Sequence, residues 1–145
     1  MAKTKKSKKP QMKVLYSAFE AVPFIKQGGL GDVAGTLPAS IKSNNCEIRV
    51  IIPYLDTIAD EITMRLKHVG DSSVESAGET REFSLYSIKM KGVYYYLIKN
   101  KHYFDRGAVY GEKDDLERFV FFCRATLQSI SLMKGFVPDI IHCND

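Results

Sequence analysis

The run Lys26-Gln27-Gly28-Gly29-Leu30-Gly31-Asp32-Val33 decides how the rest of the chain is read. An apolar strand pattern, Val14-Leu15-Tyr16, runs towards it, and a helical pattern from Val33 to about Asn44 runs away from it. Three glycines in four positions allow φ > 0 and let another molecule approach the backbone closely. The first amides of the following helix have no intrahelical partner and carry partial positive charge. Such a strand-to-helix turn suits an anion, most often phosphate, and Lys26 adds a point charge beside it. The alternative is a tight turn with a solvent lysine. The spacing is neither the G-x-G-x-x-G fingerprint nor the P-loop pattern, so neither mechanism transfers.

Outward from the turn, the chain reads as α/β. Residues 13–18 form a first strand, Glu20 to Lys26 a loop with Pro23 in it, and Gly28 to Gly31 the turn. Asp32 lies near the helix start, where a carboxylate complements the dipole. Val33, Leu37 and Ile41 recur at helical spacing and are expected to face the sheet, with Pro38 kinking or shortening the helix and Asn44-Asn45 ending it. Glu47 to Pro53 is a second strand, apolar enough for a buried parallel sheet. Strand, helix and strand make a βαβ unit. Ile58 to Glu61 forms a short helical turn.

Residues 64–99 alternate apolar and polar, the mark of half-exposed strands. Met64 to Val69 and Phe83 to Met90 are two of these. Lys91-Gly92 turns the second into Val93 to Ile98 as a hairpin, and Gly70 to Glu79 reads as a polar loop. Tyr94 to Tyr96 fit a strand better than a stacking platform. His102 to Asp115 is a loop, after which Asp114 or Asp115 can cap a helix from Leu116 to Lys134. That helix presents Phe119, Phe122, Cys123, Thr126, Leu127, Ile130 and Met133 on one face, and Gly135 stops it. Val137 to His142 is a further buried strand, with Cys143, Asn144 and Asp145 beyond it.

Composition narrows the function. The 145 residues suit about one domain, and 45% hydrophobic with 26% charged residues is an ordinary globular balance. No apolar run approaches the roughly 20 residues of a membrane span, and no secretory signal is read in the opening residues, where a basic stretch is followed by Pro10, Gln11 and Met12. The net charge of +4 belongs to the tail: without Lys3, Lys5, Lys6, Lys8 and Lys9 the balance is −1. That argues against nucleic acid as a partner, which asks for basic residues spread over a folded face. Residues 1–11 read as a disordered basic extension. Cys46, Cys123 and Cys143, odd in number and irregular in spacing, read as reduced thiols in a cytoplasmic protein. No metal-ligand cluster is visible.

The whole phrase from Lys13 to Val33 resembles the amino-terminal signature of bacterial glycogen synthases and plant starch synthases, a strand followed by S-E-x-x-P-x-x-K-x-G-G-L-G-D-V. It matches at Glu20, Pro23, Lys26, Gly28, Gly29, Leu30, Gly31, Asp32 and Val33, with Phe19 where a serine usually stands. Two later stretches extend the resemblance to residues 13–145. Tyr103-Phe104-Asp105-Arg106, Tyr110-Gly111 and Asp114 to Phe119 resemble Y-F-x-R…Y-G…D-[DN]-x-x-R-F. Pro138 to Asp145 resembles P-D-[IV]-[IV]-H-x-[HN]-D-W. Where the family places a cleft-lining aromatic six residues before the arginine of R-F, this chain has Glu112. Either a local gap brings Tyr110 into that role, or the contact is absent.

The resemblance implies a Rossmann-like, largely parallel sheet with flanking helices and a hairpin region. Residues 12–145 would be part of the N-terminal domain of a GT-B glycosyltransferase whose second domain lies elsewhere. The implied activity is retaining transfer of glucose from ADP-glucose, or UDP-glucose, to the non-reducing end of an α-1,4-glucan such as glycogen. Lys26 and the backbone of Gly28 and Gly29 would steady the leaving diphosphate, and Asp145, at a strand end, would contact the reacting sugar. His142 would pack or hydrogen-bond rather than act as a base. No metal or other cofactor is implied. Family members are several hundred residues long, so this chain is expected to be a fragment, inactive alone and prone to self-association through an uncovered sheet edge. The alternative is a non-catalytic glucan- or nucleotide-binding module. A transferase of the sucrose-synthase kind is disfavoured by the K-x-G-G-L-G-D-V phrase.

Overall fold

A computed structural model of the protein describes residues 11–41 and 45–144. One six-stranded sheet organises them. β1 (Met12–Ser17), β2 (Cys46–Pro53), β3 (Lys67–Ser76), β4 (Glu79–Met90), β5 (Val93–Lys99) and β6 (Ile140–Cys143) lie in the order β3-β4-β5-β2-β1-β6. β5, β2, β1 and β6 run parallel, with Tyr16 opposite Val50 on one side and His142 on the other. β3 and β4 add an antiparallel hairpin to the β5 side. The mixed α/β reading therefore holds, as does the hairpin at Lys91-Gly92, both of which take φ > 0. The centre of the sheet is buried on both faces: Leu15, Val50, Ile51, Ile52, Leu97 and Ile98 are fully excluded from solvent.

Gly70 to Glu79 is not a loop. Most of it belongs to β3, an edge strand paired with β4 from Lys67 to Ser76 and closed by Ala77-Gly78, both at φ > 0. The ladder is made by backbone groups, so serines and acids can occupy a strand exposed along one side. Gln128 donates to the Ser72 hydroxyl at 3.1 Å and Arg124 to the Glu75 carbonyl at 2.6 Å, joining this strand to a helix by polar contacts. A pattern read for apolar alternation misses such a strand. At the far edge, β6 is mostly exposed rather than buried; Ile140 is 46% and the preceding Val137 71% accessible.

The two long helices also bury faces other than those the apolar spacing marks. α1 (Gly29–Ile41) begins inside the glycine run, four residues before Val33. Its buried residues are Gly31, Ala34 and Pro38, while Val33 is exposed and Leu37 and Ile41 flank the contact. Small side chains let the helix axis come close, so the contact centres on them and not on the larger residues. After α2 (Asp60–Thr63), the strands β3 to β5 and the short α3 (Lys101–Phe104), α4 (Asp115–Ser129) continues into a 3-10 turn, Ile130–Leu132. α4 buries Arg118, Phe121, Phe122, Ala125, Thr126 and Ser129 and leaves Cys123 and Leu127 exposed. The turn of the face follows from Arg118, whose guanidinium sits fully buried with four acceptors.

The basic tail lies outside the described residues apart from Gln11, as do Asn44 and Asp145. Among the described residues no helix is long and apolar enough to cross a membrane. Tyr95 and Tyr96 are core residues, in line with the strand reading of that run. Tyr94 is partly exposed under the Arg49 guanidinium, 4.9 Å from its ring centre.

Gly35 is the tightest point between α1 and the loop that leaves β1. A Cβ there would lie 2.6 Å from the Val22 carbonyl oxygen, a backbone atom that cannot step aside. Gly35→Ala is expected to destabilise the protein by about 1–3 kcal/mol, in the range of other overpacking changes. A urea titration monitored by circular dichroism checks this, and an unchanged midpoint would show that the loop yields.

Candidate functional site

The site grows from the end of β1. Sheet neighbours of β1 lie on either side of it, β2 in one direction and β6 in the other, so the chain reverses its direction of travel across the sheet there. In open α/β sheets the crevice beyond the strand ends at such a point receives ligands. Residues Ala18 to Gly28 occupy it. Phe24 and Ile25 donate their amides back to the Ala21 carbonyl, both at 2.9 Å, and Val22 donates to the Gly31 carbonyl at 2.9 Å. The loop is thereby folded onto the first turn of α1. Asn144 closes the other side: its amide and its side chain both donate to the Ser17 carbonyl, at 3.0 and 2.9 Å.

The glycines act here by lacking side chains and not by unusual torsions. None of Gly28, Gly29 and Gly31 takes φ > 0. A Cβ on Gly31 would lie 3.1 Å from the Ile25 carbonyl oxygen, 3.2 Å from Glu20 Oε2 and 3.3 Å from the Lys26 Cα. A Cβ on Gly29 would meet nothing within 4 Å. Gly31 is small because the protein itself fills the space. Gly29, the first residue of α1, faces open space on a helix end whose leading amides lack intrahelical acceptors.

Glu20, only 3% exposed, sits under this turn. Its Oε2 accepts from the Gln27 amide at 2.5 Å and the Gly28 amide at 2.8 Å, and its Oε1 accepts from the Tyr110 hydroxyl at 2.7 Å. Burial pushes the carboxyl pKa up, but these three donors outweigh burial and hold it below the usual carboxylate range. The Gly28 amide, expected from the sequence to face a ligand, is directed at Glu20, and the Gly29 end of the helix is left outermost. Lys26 Nζ lies 2.9 Å from Asp32 Oδ1, with both side chains more than half exposed.

Tyr110 comes from a loop that the sequence reading left without structure of its own. Arg118 fixes that loop by donating to the carbonyls of Tyr103 (2.9 Å), Ala108 (2.9 Å) and Val109 (3.2 Å) and to Asp115 Oδ1 (2.6 Å). Arg106 holds both oxygens of Asp114, at 2.6 and 2.8 Å, and the Asp115 carboxylate accepts from the Gly111 amide at 2.7 Å. Asp114 is at the N-cap position of α4 but spends its side chain on Arg106 instead of capping. Tyr110 stacks on Phe19, with ring centres 5.7 Å apart, and lines a recess of about 490 Å³ with Phe24, Ile25, Lys26, Gln27 and Thr57. It thus stands beside the glycine turn, whereas Glu112, half-buried, does not line that recess. A larger recess, of about 650 Å³, lies between Asp71, Glu82, Lys99 and Lys101 on the hairpin side and does not border the turn. His142 packs its ring 4.7 Å from that of Tyr16, as a packing residue would. Among the described residues no group of three or more His, Cys, Asp or Glu could hold a metal ion.

The mixed α/β sheet thus brings the open end of α1, Lys26 and Tyr110 together at one strand-end crevice. Sequence comparison goes further: residues 13–145 match the model of the starch synthase catalytic domain, and the chain belongs to that family. It is 44% identical over 135 residues to glycogen synthase of Fusobacterium nucleatum, covering 92% of this chain and 29% of that protein. With glycogen synthase of Clostridium novyi the identity is 41%, over 92% of this chain and 28% of the relative. Among solved structures, the catalytic domain of starch synthase IV from Arabidopsis thaliana, bound to ADP and acarbose, superposes with a TM-score of 0.80 at 31% identity. That match covers 93% of this chain and 28% of the other. The chain therefore spans less than a third of the length of the relatives it matches.

The different surroundings of Gly29 and Gly31 give a test. Gly29→Ala is expected to fold as well as the parent or slightly better, since alanine is favoured over glycine within helices by about 1 kcal/mol. It should weaken inorganic diphosphate binding about tenfold, the equivalent of a lost hydrogen bond to a charged group. Gly31→Ala is expected to lose stability as well. Calorimetric titration with diphosphate, paired with urea melts, separates the two; equal binding by Gly29→Ala would remove Gly29 from the site.

Proposed function

We propose that the intact protein is a glycogen synthase, and that residues 13–145 form the wall of its cleft that receives the diphosphate of the sugar donor. The reaction is retaining transfer of a glucosyl unit from ADP-glucose to the non-reducing end of an α-1,4-glucan. The observation that carries this reading is the open first turn of α1 with Lys26 beside it, at the crevice beyond β1 and β6. The starch synthase IV structure, with ADP and acarbose bound, supports both a nucleotide and a glucan as ligands.

As the bond from the sugar to the diphosphate breaks, charge collects on the departing oxygens. Fixed amides and a cation aimed at that charge are among the larger contributions to catalysis. Lys26 is available for this: its pair with Asp32 is exposed, and exposed pairs are worth about 0–1 kcal/mol, so exchanging the carboxylate for a phosphate opposes binding little. Gly28 and Gly29 leave room for the phosphates. Asp145, outside the described residues, is assigned by family resemblance to contact with the reacting sugar. Three free cysteines, of which Cys123 and Cys143 are exposed, support a cytoplasmic location.

Lys26→Ala in the intact enzyme is expected to lower turnover by about 10²-fold, as loss of one charge-stabilising donor does. The Michaelis constant for ADP-glucose should rise while the melting temperature and the Michaelis constant for glycogen hold. Unchanged donor kinetics would overturn the assignment. Assays with ADP-glucose and UDP-glucose in parallel identify the donor.

The isolated 145-residue chain is expected to transfer no glucose, because holding donor and acceptor together supplies roughly 7–11 kcal/mol of the barrier. It is also expected to self-associate through β6, an edge strand with exposed Ile140. Incorporation of labelled glucose into glycogen above a heat-killed control would contradict the first expectation. A monomeric mass at high concentration in sedimentation would contradict the second.

A further inference from the structure

Glu20 belongs to no step of the reaction just described, yet it is a carboxylate placed under an anion site, where its charge opposes the ligand. A buried carboxylate in that position calls for an explanation other than solubility or chance packing. Its three hydrogen bonds come from two separate segments: Gln27 and Gly28 in the turn before α1, and Tyr110 in the loop before α4. The fit around it is close. Its Oε2 would lie 3.2 Å from a Cβ on Gly31, tight enough that this glycine leaves space for the carboxylate, whereas a Cβ on Gly28 would meet its Oε1 at an ordinary 3.9 Å. Tyr110 is held in turn by its stack on Phe19, whose ring also meets Phe104, Phe119 and Phe122 edge-on.

We infer that Glu20 is a positioning residue: it takes up the Gln27 and Gly28 amides as an internal anion, and through Tyr110 it locks the glycine turn to the loop that forms the opposite side of the recess. Two consequences follow for the ligand. With the Gln27 and Gly28 amides engaged by Glu20, an arriving diphosphate is directed one step along, to the first residues of α1. And since Tyr110 and Lys26 line the same recess, the carboxylate fixes the distance between the aromatic wall and the cation. A glutamine of the same shape could keep its oxygen on the two backbone amides and turn its amino group to the Tyr110 hydroxyl, which would then accept; what it lacks is the charge that makes the three hydrogen bonds strong.

This inference rests on the reading of the turn as the diphosphate site, and the test separates the two. Glu20→Gln, Glu20→Asp, Tyr110→Phe, the double variant Glu20→Gln with Tyr110→Phe, and Lys26→Ala are prepared in the intact enzyme. For each, ADP binding, kcat, the Michaelis constants for ADP-glucose and for glycogen, and the melting temperature are measured. Glu20→Gln is expected to weaken ADP binding and lower kcat/KM for the donor by about 10–100-fold, the size of effect seen when a partner that orients a metal ligand is lost. The Michaelis constant for glycogen should stay within about twofold. Tyr110→Phe, which removes one hydroxyl and no packing, is expected to act in the same direction by a few fold. The double variant should fall short of the product of the singles, because both act through one carboxylate. Glu20→Asp, which keeps the charge, should recover part of the loss. If Lys26→Ala impairs the donor but Glu20→Gln and Tyr110→Phe do not, the positioning role is wrong and the site stands. If Lys26→Ala too leaves donor kinetics unchanged, the site itself is wrong. If Glu20→Gln does not fold, Tyr110→Phe decides alone: unchanged ADP binding, or equal losses for donor and glycogen, overturns the inference.

Discussion

Two absent side chains set the geometry from which the rest follows. At Gly31 and Gly35 the first half of α1 lies against the loop that leaves β1 so closely that a single Cβ would meet backbone atoms at 3.1 and 2.6 Å. That contact fixes where α1 begins and so where its unpaired amides point. It also removes any benefit of a bulky apolar face at this end of the helix, which explains why Ala34 and Pro38 are buried and Val33 is exposed. Burying large residues there would add roughly 1.5–3 kcal/mol each, but only by lifting the helix end away from the loop. The packing favours position over buried area.

The second wall of the recess is built by a different device. The loop from Asp105 to Asp114 has few apolar residues with which to pack, and it is held by charge. Arg118, fully buried, gathers two of its carbonyls, Ala108 and Val109, and that of Tyr103 in α3, while Arg106 pairs with Asp114 and Asp115 accepts from the Gly111 amide. A buried guanidinium is tolerated only when its donors are met, and breaking such a set commonly costs about 3–5 kcal/mol. The loop therefore behaves as a rigid element although it is neither helix nor strand, and Tyr110 inherits that rigidity.

These two devices account for what was readable in the sequence and what was not. β1, β2, β4 and β5 followed from their apolar runs, and the Lys91-Gly92 hairpin from its turn chemistry, because burial and local torsion are properties of short stretches. β3 was read only at its start, where Lys67 to Val69 fall in the alternating stretch from Met64; from Gly70 on it escaped notice since its pairing is carried by backbone and its side chains are mostly serines and acids. The burial of Arg118 escaped notice because an arginine on a helix reads as solvated until its acceptors, up to fifteen residues away, are known. Lys26 and the glycines stood out by type and spacing. Glu20 was visible as one matched position in a motif, but its partner Tyr110 is ninety residues distant and no spacing rule joins them. Of the two positions weighed for the family's cleft aromatic, Tyr110 lines the recess beside the turn and Glu112 does not.

The balance of charge at the turn shows why so much of the arrangement is backbone. Glu20 and Asp32 bring two negative charges near the place a diphosphate would occupy, and Lys26 brings one positive. Side chains alone would repel the ligand. Glu20 is offset where it sits by two amides and a hydroxyl, and Asp32 by the lysine. What remains to attract an anion is the end of α1, worth about 0.3–1 kcal/mol at an exposed site, and Lys26 once it turns from Asp32. Arg106 and Arg118 are committed to carboxylates and carbonyls of their own loop. On the proposed reading, a wall built this way would hold a diphosphate weakly by itself. Its contribution is direction, and strong binding requires cations or a dry, closed surface facing it, since excluding water raises the strength of each of these contacts several-fold.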